Sequence, residues 1–466
     1  MFKNAKLPPK TNQSSTLPER KGKKHVKLTE ITYRSNTDSD YTEKIEELEK
    51  NFNYSSNGDY YWGPPQLSIL YGTPLYEEAS SSQKRALNHF YWAKQYNQTA
   101  ATEANAVLYN QVTAGVFSNI GGHKTLCQEL ELETHQEHFH IHAFHAIGYK
   151  TQVALIGKKG FNATVPGKLS KSKNNFAKGL ESLHLPQLLS SNLPRFQDDS
   201  FRFITNQVVL KRKANFYSQY LKKLESKGEP IPAQTTGLLG QIGPRPFLQF
   251  FTLNCGTSPF LACVFYVTRY MANMLLKSFE YRYSQYYREL EKKGEFIPAP
   301  TAVSYYHLLD ESFHTTISQL IAQDFYKEFS KPTAYEKFLA NLVIYRTQKL
   351  VLSGLSAGLP AVFRNDASFI PSFYNLLQTS IFNMSVEEAL YWTKRCFCQE
   401  HEGFHLNLKF HQRLFSDICR SFEKIDYLWP VNREMRLMAS GGSIAKAIQN
   451  NIKVFERFSK SVAHSN

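Results

Sequence analysis

Residues 307–314 read "HLLDESFH". At about 100° per residue, His307, Glu311 and His314 fall at i, i+4 and i+7 and share one face of a helix. The pair Glu-x-x-His recurs as "EHFH" at 137–140, as "EGFH" at 402–405 and as Glu181 with His184. A carboxylate and an imidazole on adjacent turns are what carboxylate-bridged di-iron bundles take from two of their four helices, the other two helices each adding one Glu. The spacing alone is a weak signal, so the surroundings must decide.

Two copies have a suitable partner helix. Glu103, in "ATEANAVLYNQ" (101–111), precedes Glu137, and Glu280, in "NMLLKSFEYRYSQ" (273–285), precedes Glu311. Each pairing reads as a helix, a turn and a second helix. The copy at 402 follows a helix at about 371–383 that has no Asp or Glu, so Glu402 and His405 are expected to lie off the metal. The copy at 181 sits in a Lys- and Ser-rich loop. "ETHQEHFH" places Glu133, Glu137 and His140 at the 307–314 spacing. His135, His138, His142 and His145 share another face, expected at the surface or at a subunit contact. Buried carboxylates are costly unless paired or metal-bound, so Glu103 and Glu280 are read as ligands beside the two Glu-x-x-His pairs.

Working outward, apolar spacing of three to four residues runs through most of the chain from about 78 onward, and the predicted fold class is all-α, a ferritin-like four-helix di-iron bundle with additional helices. Ser385 and Glu388 read as a capping box. "VALIGKKGFNATV" (153–165) is expected to form a short hairpin. The predicted organisation is a disordered basic tail at 1–40, a di-iron helical core at 41–330 with an insertion at about 148–255, and C-terminal helices at 331–466 packing on the core. The insertion carries one copy of an internal repeat. "YSQYLKKLESKGEPIPAQT" (217–235) matches "YSQYYRELEKKGEFIPAPT" (283–301) at thirteen of nineteen positions. The same offset carries Glu280, His307, Glu311 and His314 onto Ala214, Gln241, Arg245 and Leu248, so the shared scaffold does not itself require the four polar residues.

Composition narrows the class. In 466 residues, 42% are hydrophobic and 14% aromatic, enough for a large core, and the formal net charge is +15. Much of that excess lies in the first 27 residues and between Lys158 and Lys178. It suits a solvated tail or an acidic partner, and nucleic acid is not expected. Six cysteines without a CxxC pair argue for a reduced cytoplasmic protein, and no signal peptide or membrane span is expected.

The layout resembles the p-aminobenzoate N-oxygenase family of di-iron oxygenases. "LSILYGTPLYEEAS" (67–80) is similar to that family's entry segment, Glu103 to its first lone Glu, "EHFH" to its first Glu-x-x-His, Glu280 to the Glu of its third ligand helix, and "HLLDESFH" to its most specific feature, a His four residues before the second Glu-x-x-His. The resemblance implies seven metal ligands: Glu103, Glu137, His140, Glu280, His307, Glu311 and His314. Glu137 and Glu311 would bridge, and Glu103 and Glu280 would be terminal. It implies two iron ions, with manganese as the alternative, and a monooxygenase that uses dioxygen and an external electron donor to oxidise an aromatic amine. The long stretch 148–255 departs from that family and leaves the substrate open. A di-iron hydroxylase or desaturase of an acyl or amino-acid substrate, carried on an acidic carrier protein or free, is the alternative enzyme; a non-catalytic iron-binding helical protein is the remaining one. A homodimer is compatible with each of these readings.

Overall fold

The computed structural model describes residues 23–164, 193–208, 216–234, 244–349, 368–437 and 444–463. Its regular elements are helices, with no strand among the described residues. Four long ones form the body: Ser81–Ile120, Lys124–Thr164, Pro259–Lys293 and Ala299–Gln323. The first pairs with the second and the third with the fourth, each across a short turn. The two hairpins then pack first helix on third and second on fourth.

Local chemistry sets the ends of these helices. The first opens with a capping box, Ser80 and Gln83 serving each other's backbone N–H. The third opens with the Ser258 hydroxyl accepting from Leu261 N–H and with Pro259 at its first position. It stops at Gly294, whose φ of 65° is left-handed. The repeat copy stops in the same way: Gly228 has φ 70°. Glu229 N–H donates to Leu224 O and Glu295 N–H to Leu290 O, each at 3.0 Å. What the duplication preserves is therefore a helix stop. In the first copy Arg245 is exposed and Leu248 buried; Ala214 and Gln241 lie outside the described residues, as do Glu181 and His184. Ser385 and Glu388 form the expected capping box.

Packing orders the bundle into layers. A cluster including Trp92, Tyr96, Phe144, Tyr283 and Val303 fills one end. A second, including Val112, Leu130, Val264, Ile317 and Ile321, fills the other. Polar residues of all four helices lie between these two apolar blocks, shielded from water along the bundle axis. The third helix is the one described helix long and apolar enough to cross a membrane; 72% of its apolar window is buried in the protein, as in a core helix. The Gln219–Ser226 helix packs on the first, and Arg245–Cys255 packs on the first and third. Gly115 lets the first of these approach: a Cβ there would run into Ser218 Oγ.

Two expectations are corrected. The segment 153–164 is helical, the continuation of the second bundle helix through a kink at Gly157 (φ 70°), because its apolar residues Leu155 and Ile156 pack against the Phe369–Leu377 helix. The tail expected to be disordered to residue 40 contains a helix, Lys24–Asp38, packed on the second and fourth bundle helices. Its polar composition concealed this, because what it buries are Thr29, Thr32 and Asn36, held by hydrogen bonds.

Candidate metal centre

The four bundle helices bring Glu103, Glu137, His140, Glu280, His307, Glu311 and His314 together in the polar layer, none more than 6% exposed. Donor atoms of Glu103, His140, His307 and Glu311 lie within 4.8 Å of one another, as do those of Glu137, Glu311 and His314. Glu311 belongs to both groups. Glu137 touches a histidine of each, 3.4 Å from His314 Nδ1 and 3.7 Å from His140 Nδ1. Glu280 completes the set through His307, whose Nδ1 lies 2.6 Å from it while Nε2 lies 2.8 Å from Glu103.

The outer nitrogens of two histidines are anchored. His140 Nε2 donates to Asp310 Oδ2 at 3.2 Å, and His314 Nε2 donates to Gln136 Oε1 at 2.8 Å. Both rings therefore present Nδ1 to the carboxylates, which is how a ligating imidazole is oriented by its outer partner. Gln136 is fixed in turn by Asn36 of the N-terminal helix, which also donates to Glu129. On the far side Arg269 Nη1 donates to Glu133 Oε2 at 2.5 Å, and its Nη2 donates to Glu137 Oε1 at 2.7 Å. Tyr96 OH donates to Glu280.

Electrostatics follow from crowding in a dry layer. Burial pushes the Glu103 carboxyl up to about 7, with the His307 charge opposing it. Burial likewise raises Glu280 and Glu133, and raises Glu129 to about 8. Glu137 is buried too, yet the neighbouring His140 and His314 rings and the Arg269 charge hold it well below the usual carboxylate range. Burial and the neighbouring His307 work against protonation of His140, but Asp310 and Glu137 outweigh them and raise it to about 9.

Whether a metal ion suits these residues can be tested on the atoms left over. Glu103 Oε2, Glu137 Oε2, Glu280 Oε2 and His140 Nδ1 are buried with no hydrogen-bond partner. Orphaned acceptors on four members of one cluster are costly in a bundle core, and a divalent cation satisfies such a set. Hard oxygens plus imidazoles suit iron or manganese. The donor set fits a metal centre.

Glu402 and His405 lie elsewhere, both exposed, with His405 paired to Glu400. His135, His138 and His142 are exposed and His145 half-buried. Sequence reasoning did not identify Arg269, Asp310, Gln136 or Asn36 as parts of the site. Arg269 had a signal, a lone charge in the apolar run of the third helix. Asp310 lay within "HLLDESFH", one residue from a ligand candidate, but on a face whose neighbour only packing supplies.

Residues 24–459 match the family model described as "Acyl halogenase CylC-like". No curated protein and no solved structure matches the chain. The match spans nearly all of the sequence, and the protein belongs to this CylC-like acyl halogenase family, hence to a family of enzymes of oxidative, halogenase-type chemistry. This overturns the resemblance to the p-aminobenzoate N-oxygenases and with it arylamine oxidation as the reading. The error has a physical source. A Glu and His pattern on four helices reports what a metal needs and carries no information on the substrate.

Proposed function

We propose, from this family membership, that the protein is a metal-dependent oxidative halogenase of an acyl chain, with the reaction centred on the Glu103, Glu137, His140, Glu280, His307, Glu311 and His314 cluster. The observation that carries the proposal is the coincidence of a family match over 24–459 with a buried set of four glutamates and three histidines that leaves acceptor atoms unpaired. Two iron ions are the proposed occupants. Once bound, they supply redox chemistry with dioxygen that no amino-acid side chain provides.

The chain's own residues do the rest. Asp310 and Gln136 fix the ring orientation of His140 and His314. Arg269 keeps Glu137 ionised, and so available as a ligand, in a place where burial favours its protonation. The apolar blocks on either side keep water from the reacting groups. Replacing C–H by C–halogen oxidises the substrate by two electrons. Dioxygen accepts four on its way to water, so an external donor must supply the other two. The acyl substrate is proposed to arrive on an acidic carrier protein, to which the net charge of +15 is complementary.

The test combines iron-loaded protein, a reductant, dioxygen, chloride or bromide and an acyl-carrier substrate, with the product read by mass and isotope pattern. A halogenated acyl chain supports the reading. A hydroxylated or desaturated chain, with halide present, moves the protein to the hydroxylase or desaturase alternative. An unmodified chain under all conditions overturns oxidative acyl chemistry.

A further inference from the structure

The third bundle helix turns one face toward the metal cluster, and the residues on it are not all ligand candidates. Arg269 reaches Glu133 and Glu137 at one end of this face, and Glu280 reaches His307 at the other. Between them stand Asn273 and Lys277. Asn273, Lys277 and Glu280 fall at i, i+4 and i+7, the spacing by which His307, Glu311 and His314 share a face on the neighbouring helix. The third-helix wall of the cluster at this level is therefore built of an amide and an ammonium.

Both are donors without an acceptor. Asn273 is 7% exposed, and its side-chain Nδ2 is buried with no hydrogen-bond partner. Lys277 is half-buried and makes no ion pair among the described residues. Burial works against its charge, and the carboxylates of Glu311 and Glu280, which hydrogen-bond His314 and His307, favour it. Arg269, the other cation on this face, is already matched to two carboxylates. An unpaired amide N–H beside an unpaired ammonium in a partly dry wall attracts an anion.

We propose that Asn273 and Lys277 form a monoanion subsite beside the metal cluster and that the anion it holds is a halide ion. The choice of halide rests on the halogenase reading and on the donors present. A carboxylate or phosphate group offers several oxygens in a plane or tetrahedron and is best met by a guanidinium fork. The subsite offers one point charge and one N–H, which suits a single spherical acceptor. Met274 and Leu276, both half-buried, flank this face of the helix on either side. Held there, the halide stands next to the cluster where it is to be oxidised, and its charge is balanced by Lys277.

The subsite is tested first on the metal-free protein, where activity plays no part. Sodium bromide is titrated at constant ionic strength against sodium acetate and sodium sulfate while thermal unfolding is followed, and crystals soaked in bromide are examined by anomalous scattering. The expected result is saturable stabilisation by bromide that acetate and sulfate do not reproduce, and an anomalous peak within reach of Asn273 Nδ2 and Lys277 Nζ. Lys277→Gln and Asn273→Leu should each weaken bromide binding by at least about tenfold. Lys277→Arg, which keeps the charge, should retain most of it and serves as the folding control. In the iron-loaded enzyme, Lys277→Gln should raise the KM for halide and leave the KM for the acyl substrate unchanged. Bromide binding equal in wild type and both weakening variants, acetate binding as tightly as bromide, or a peak elsewhere would overturn the subsite. Bromide bound at Asn273 and Lys277 without any halogenated product would leave the subsite standing and sink the halogenase reading. Halogenation with an unchanged KM for halide in Lys277→Gln would do the opposite.

Discussion

Asp310 accepts a hydrogen bond from His140 Nε2 at 3.2 Å, and by doing so turns His140 Nδ1, which has no partner, toward the carboxylates of the cluster. The aspartate and the histidine come from different hairpins of the bundle. The orientation of one metal-ligand candidate is thus set by the docking of the fourth helix on the second.

Asp310→Leu should therefore weaken metal binding without removing any proposed ligand. The loss of an outer partner of this kind costs on the order of 10–100-fold in affinity. Competitive titration with a chelator measures it, and Asp310→Asn, which keeps an acceptor oxygen, should recover part of the loss. Equal affinity in Asp310→Leu and wild type would contradict the orienting role.

Arg269 donates to both Glu133 and Glu137. Arg269→Met leaves two carboxylates in the bundle core without their counter-charge, and removing one partner of a buried pair costs about 3–5 kcal/mol. Urea unfolding of the metal-free protein should show this. The double variant Arg269→Met with Glu133→Gln should be more stable than Arg269→Met alone, because one of the stranded charges is gone.

The pH dependence of the metal-free protein has a definite sign. Glu103, Glu129 and His140 all bind protons more tightly folded than unfolded, with values of about 7, about 8 and about 9. The folded state therefore holds more protons than the unfolded one from about pH 4.5, where the unfolded carboxyls titrate, to about pH 9, and stability falls as pH rises through this window. Metal ions replace those protons, so metal affinity should rise over the same range. Melting temperatures with and without iron across the window check both slopes. A melting temperature of the metal-free protein that climbs with pH would reverse the sign.

His314→Ala and His405→Ala separate the two copies of the same short motif. His314 is buried against Glu311 and Glu137, while His405 is exposed beside Glu400. Iron content should collapse in the first variant and stay at the wild-type level in the second, as elemental analysis of purified protein would reveal. Loss of iron from His405→Ala with the fold intact would draw the Glu402–Phe422 helix into the site.

Asn36 tests the N-terminal helix. It donates to Glu129 and exchanges hydrogen bonds with Gln136, which holds His314. Asn36→Ala leaves buried partners unsatisfied, which costs about 1–3 kcal/mol, and it should also lower iron affinity by loosening Gln136. A variant with wild-type stability and iron binding would show that the helix contributes neither.

The sequence by itself determined the helical class and the set of residues brought together at the centre of the bundle. Helical periodicity and the i, i+4, i+7 spacing of His307, Glu311 and His314 are local properties, legible wherever a helix forms. The absence of a lone acidic partner was enough to set Glu402 and His405 apart, although their motif is spelled as the others are. The helix stops at Gly228 and Gly294 were legible for the same reason, since a left-handed residue after a helix is a local demand. Local spelling misled where long-range burial decides. The segment 153–164 stays helical because the Phe369–Leu377 helix covers it, and 24–38 is held by hydrogen bonds to the bundle that its polar composition does not announce. Only the tertiary structure decided that Asp310 meets His140, that Arg269 meets Glu133 and Glu137, and that Asn273 Nδ2 is buried without a hydrogen-bond partner among the described residues. Those relations join different helices, or depend on what a neighbouring helix fails to supply, and no spacing along one helix encodes its neighbour's register.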